Sequence, residues 1–148
     1  MTQKQEAYLE NFAARLRACG LRPTRPRLAL AQLLFGTSTR PLMRHVTAEM
    51  LYSEAQAAGL SVSQATIYNT LNQFLAAGLL RQVVVDVTRS YFDTNIAEHH
   101  HFYMEDEARL IDVDKDAVGI SHLPQTPQGY GVCGVDVVIR LQSKSSGK

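Results

Sequence analysis

Residues 60–94 read LSVSQATIYNTLNQFLAAGLLRQVVVDVTRSYFDT, and a change of period inside this stretch decides the fold. Ile67, Leu71, Phe74 and Leu75 recur at helical spacing, Ser63 is placed to cap the first turn, and Gly78 is placed to stop the last. The helix so predicted leaves a polar face open. After Gly78 the pattern becomes extended: Val83 to Val85, a turn around Asp86–Arg89, then Tyr91 and Phe92. That is a small hairpin.

Working outward, EAYLENFAARLRACG carries an apolar stripe of Leu9, Phe12, Ala13, Leu16 and Cys19 that ends at Gly20. TRPRLALAQLLFG opens on Thr24 as cap with Pro26 in the first turn, and its stripe of Leu30, Leu33 and Leu34 runs to Gly36. TSTRPLMRH reads as a loop, and VTAEMLYSEAQAAG as a third helix capped by Thr47 and ended by Gly59. Three short helices, a fourth with an open polar face, and then a hairpin is the order of a winged helix-turn-helix. The expected class is α+β: a winged-helix unit over 1–93, a hinge over 94–98, and a small α/β dimerisation unit over 99–148. In that second unit the expectation is a strand at HFYM, a strand at RLIDV, a weak helix near 115–122, and a final strand in YGVCGVDVVIRL. Apolar residues are few there for its length, so it is expected to need a partner copy to complete its core.

Composition agrees with a folded chain. Hydrophobic residues make up 45% of 148, too many for disorder. No apolar run approaches the roughly 20 residues of a membrane helix, and the polar start MTQKQE has no signal-peptide character. A cytoplasmic protein is expected. Cys19 and Cys133 make neither a CxxC pair nor a four-cysteine zinc site, and both are expected to be small, partly buried residues. A net charge of +1 hides an asymmetry: residues 1–96 hold ten Lys/Arg against six Asp/Glu, and residues 97–148 five against eight. Arg15, Arg17, Arg22, Arg25, Arg27, Arg40 and Arg44 all fall within thirty residues. This asymmetry suggests an anion-binding module joined to a separate one.

LRPTRPRLAL, HVTAEMLY, SQATIYNTLNQFLAAGLL and YFDTN…HHH occur in this order, and together they resemble the ferric uptake regulator family of metal-sensing repressors over about residues 8–142. YNTLNQF, AGLLRQV, YFDTN and HHHFY resemble most the iron response regulator subgroup, which controls iron and haem genes and responds to haem. The resemblance implies a homodimer on a double-stranded DNA operator. It also implies that Tyr68 reaches bases and that Arg22 enters the minor groove. Arg25 and Arg27 are expected at phosphates, while Ser63, Gln64 and Thr66 lie near the helix start, where side chains meet phosphate or base edges. Asn69 stands where the family often has arginine, and Asn pairs with adenine.

Residues 95–114, NIAEHHHFYMEDEARLIDVD, carry three consecutive histidines. An internal run of three is not a purification tag. In a strand, His99 and His101 share a face while His100 takes the other. Two imidazoles on one face are half a metal site. The resemblance supplies His45, Asp93 and Asp112 as further ligands, a set suited to Fe(II), Mn(II) or Zn(II). Three readings stay open for His100: surface, a second-site ligand, or the haem contact the subgroup implies. Met104 and Glu107 occupy the positions of the family's first CxxC pair, so no structural four-cysteine zinc is expected.

The function expected is therefore a metal- or haem-responsive DNA-binding repressor of iron and haem genes, with a peroxide-, manganese- or zinc-responsive regulator of the same family as the alternative. An enzyme is not expected. There is no HExxH arrangement and no glycine-rich phosphate loop.

Overall fold

The computed structural model describes residues 3–37 and 40–144, and the chain divides into two compact units, 1–96 and 97–148. The class is α+β.

The first unit holds α1 (Gln3–Ala18), α2 (Arg25–Phe35), α3 (Ala48–Ala57) and α4 (Gln64–Ala76). Three of these helices start where a hydroxyl satisfies an otherwise orphaned amide. Thr24 accepts from the Arg27 N–H at 3.4 Å, Thr47 from Met50 at 3.1 Å, and Ser63 from Thr66 at 3.1 Å. The apolar stripes of the four helices meet in one core of Leu16, Leu30, Leu34, Leu51, Ile67 and Leu71. Phe12 and Phe74 lie in it and the half-buried Phe35 packs against them, with ring centroids 5.3 to 6.4 Å apart.

Within TSTRPLMRH, Ser38 and Thr39 lie outside the described residues. The rest is not all loop, because β1 (Gly36–Thr37) pairs antiparallel with β2 (Arg40–Pro41). Gly36 makes this possible. Its φ is +76°, and a Cβ there would collide with the Arg40 carbonyl oxygen.

β3 (His45–Val46), β4 (Arg81–Val84) and β5 (Ser90–Asp93) form an antiparallel sheet in the order β3-β5-β4. Val46 and Phe92 are register partners, and both join the helical core. The loop expected at His45 is instead a short strand, which sets this residue opposite Asp93. Thr94 ties this corner shut: its Oγ1 accepts from the Arg44 amide at 2.8 Å, and its own amide donates to the Arg44 carbonyl at 3.0 Å.

In the second unit β6 (His99–Met104) pairs antiparallel with β7 (Arg109–Asp114) and parallel with β8 (Val138–Leu141). Among its described residues, the buried apolar ones are Tyr103, Leu110 and Val113. Two expectations fail here. The helix near 115–122 contracts to a single 3-10 turn, Lys115–Ala117, capped by Asp114. Helices this short are marginal without packing, and nearly all of 115–122 is exposed. The strand expected from Tyr130 begins only at Val138, because residues 130–137 form no ladder among the described residues.

Candidate functional site

In the first unit the β3–β5 register sets His45 directly across from Asp93. Their Nε2 and Oδ2 atoms are 3.3 Å apart, and the Asp93 side chain is almost completely enclosed. The other Asp93 oxygen accepts from the Asn95 amide at 2.8 Å, which fixes the carboxylate's orientation.

The second unit has donors of its own. β6 pairs His101 with Asp112 on β7, and alternation brings His99 onto the same face, its ring 4.5 Å from that of His101. One Asp112 oxygen lies 3.2 Å from His99 Nε2 and 3.4 Å from His101 Nε2. One potential ligand atom from each of the three falls within 4.8 Å of the others. Both imidazoles are buried, while Asp112 is about one third exposed.

His100 is not surface, since only 7% of it is accessible. Its Nδ1 accepts from the Val137 amide at 3.1 Å, fastening β6 to the segment that leads into β8. An accepting Nδ1 needs its lone pair, so neutral His100 carries its proton on Nε2. That tautomer suits a structural residue, and ligation through Nε2 would first require the proton to leave.

On α4, Gln64, Tyr68 and Asn69 are exposed, while Ser63 and Thr66 meet each other at 3.0 Å across the helix start. Arg22 and Arg25 are exposed as well, and Arg22 lines one groove with Thr66 and Asn69. Arg27 is held by contacts within the first unit. Its guanidinium gives two bonds to Gln73 Oε1, at 3.1 and 2.9 Å, and one to the Arg22 carbonyl at 2.7 Å. It locks α4 onto α2. Arg44 also departs from the anion-binding cluster read from the sequence. It grips Glu54 bidentately at 2.7 and 2.6 Å and reaches the Leu33 carbonyl at 2.8 Å, so its charge is already neutralised.

Glu49 is a residue that sequence reasoning misses. Its carboxylate accepts from the Tyr68 hydroxyl at 2.6 Å. That bond, with help from a backbone amide, holds Glu49 below the usual carboxylate range, and the same bond raises Tyr68 above the usual phenol range. The only forewarning is helical position, in the first turn after the Thr47 cap. Cys19 and Cys133, expected to be partly buried, are both exposed, and Cys133 lies in the irregular segment before β8.

Known proteins resemble this chain in sequence and in fold. The model of the Ferric uptake regulator family matches residues 18–133. The peroxide-responsive repressor PerR of Staphylococcus aureus is 32% identical over 107 residues, covering 72% of this chain and 69% of the relative. The structure of the ferric uptake regulator from Pseudomonas aeruginosa with manganese matches at a TM-score of 0.63 and 26% identity, over 88% of this chain and 96% of that one. The Vibrio cholerae ferric uptake regulator matches at a TM-score of 0.68 and 22% identity, over 89% and 99%, a likeness of fold.

Proposed function

This chain belongs to the ferric uptake regulator family, and from that premise we propose that it is a dimeric, metal-responsive transcriptional repressor that binds an operator through a winged helix-turn-helix in its first unit. The observation that carries this reading is the repeated pairing of imidazole with carboxylate across antiparallel strands, His45 with Asp93 and His101 with Asp112. His101 is buried and His45 half-buried, and imidazole is not a side chain that an apolar core calls for. Imidazole nitrogen and carboxylate oxygen together suit Fe(II), Mn(II) or Zn(II), so the donors fit the ions that the resemblance implies. We assign His45, Asp93, His99, His101 and Asp112 as ligands. When bound, a divalent cation supplies positive charge that holds acidic and imidazole donors together. The chain's own part is to keep those donors oriented: Asn95 orients Asp93, and the β6–β7 ladder sets Asp112 beside two imidazoles. For the ion to regulate, its affinity must differ between operator-binding and non-binding states.

Motifs such as YNTLNQF and HHHFY support iron response as the signal, with iron and haem genes as targets and the cytoplasm as location. His100 in its hydrogen-bonded tautomer lends no support to haem ligation. The 32% identity to a peroxide-responsive repressor favours a second reading, in which Fe(II)-loaded protein loses operator binding on exposure to hydrogen peroxide. Operator binding measured with Fe(II), with Mn(II), with haem, and with Fe(II) plus peroxide separates these signals.

The DNA side has its own test. Tyr68→Ala is expected to weaken specific binding by about 1–3 kcal/mol and leave binding to random duplex nearly unchanged. Arg25→Ala is expected to weaken both and to make the salt slope shallower by about one unit. Equal losses on specific and random DNA for Tyr68→Ala would rule out base reading.

A further inference from the structure

Tyr68 and Glu49 form a bond that fold stability does not require. Tyr68 is 45% exposed and Glu49 is exposed as well, so their contact buries little and adds little to the core. The cleft beside them, lined by Ala48, Glu49, Tyr52, Gln64, Ile67 and Tyr68, holds about 50 Å³. That is room for a water or two and not for a small-molecule ligand.

The bond has a direction. A phenol owns one proton and accepts through its lone pairs, whereas a carboxylate only accepts. At 2.6 Å the contact is a short, charge-assisted bond in which Tyr68 donates. Glu49 is held ionised first by this bond and then by a backbone amide, in the first turn of α3 just after the Thr47 cap, where the helix N-terminus also favours negative charge. With its proton committed to Glu49, Tyr68 faces outward as an acceptor.

We infer that Glu49 is a specificity-determining residue: by holding the Tyr68 hydroxyl proton, it makes Tyr68 select a base edge that offers an amino donor, adenine N6 or cytosine N4, over one that offers a carbonyl. The major groove presents this distinction directly, since guanine O6 and thymine O4 accept where adenine N6 and cytosine N4 donate. The inference rests on Tyr68 reading bases. Glu49 touches the base only through Tyr68, and its charge exacts a cost of its own by repelling nearby phosphates.

Selection from a randomised duplex pool tests this, using the full-length protein, the variants Y68F, E49A and E49Q, and Mn(II) present or absent. Wild type is expected to prefer an amino-bearing base at one position by roughly two- to tenfold, the worth of one hydrogen bond. Y68F should lose that preference. E49A should admit guanine and thymine there at near parity, because the hydroxyl proton becomes available to donate. E49Q keeps an acceptor oxygen without the charge. It should retain the preference, while its binding to random DNA strengthens and its salt slope steepens by about one unit. If Y68F selects the same sequences as wild type, base reading by Tyr68 fails and this inference fails with it. If Y68F loses the preference but E49A keeps it, base reading stands and the role of Glu49 is overturned. If E49A loses the preference while Y68F keeps it, Glu49 itself reads the base, and the inference is overturned by that route.

Discussion

Replacing His101 with alanine is expected to lower divalent-metal affinity by at least about 100-fold, because losing a mere supporting partner of a ligand already costs about 10–100-fold. His101 is buried, sits across from Asp112 in register and shares the Asp112 oxygen with His99. His99, on the same face of β6, is assigned as a ligand in its own right and cannot stand in for it. The neighbouring substitution gives the control. His100→Ala should leave metal affinity within about threefold of wild type, since alternation turns that ring away from Asp112. Its cost should appear in stability, at about 1–3 kcal/mol, because the Val137 amide loses its acceptor. Competition with a chromogenic chelator and denaturant titration of both variants read the two quantities separately. An equal loss of metal affinity in both would show the three histidines acting as one undivided site.

The second large effect lies in the core. Phe74 on α4 is fully buried and packs against Phe12 and Phe35. Phe74→Ala is expected to destabilise the first unit by about 3–5 kcal/mol, a large share of the roughly 5–15 kcal/mol that holds a domain together. A fall of more than about 12 °C in Tm should accompany it, and operator binding should weaken because α4 loses its seat. A fall of only one or two degrees would mean that the aromatic cluster closes over the gap.

Much of this is legible in the sequence, and the reasons differ from place to place. Thr24, Thr47 and Ser63 can be read as caps because capping is local, fixed by residues three apart. The faces taken by His99 and His101 follow from strand alternation, which is also local. The partners of Arg44 and Arg27 are not legible, because a run of arginines carries no record of what each one touches. Glu54 lies ten residues from Arg44 and Gln73 forty-six from Arg27, and only the fold joins them. His100 presents the same difficulty, with its partner thirty-seven residues away. The strand expected from Tyr130 has the right residue types, but a strand needs a neighbour, and among the described residues β6 pairs in register on that edge with Val138–Leu141 alone.

The parallel pairing of β8 with β6 also sets an order of events during synthesis. His100 waits for a partner thirty-seven residues downstream, so the histidine strand leaves the ribosome with one edge still unmatched. At about 5–20 residues per second that interval lasts roughly 2–7 s, and throughout it every residue of the first unit has already been made. The helical half of the molecule can therefore reach its native packing before the histidine strand is complete. Chains stalled before Val137 should resist brief proteolysis over the first unit and be cut readily around residues 99–104, whereas the released 148-residue chain should be protected in both. Equal protection of residues 99–104 in the shorter chains would show that the two-stranded β6–β7 ladder stands without its third strand.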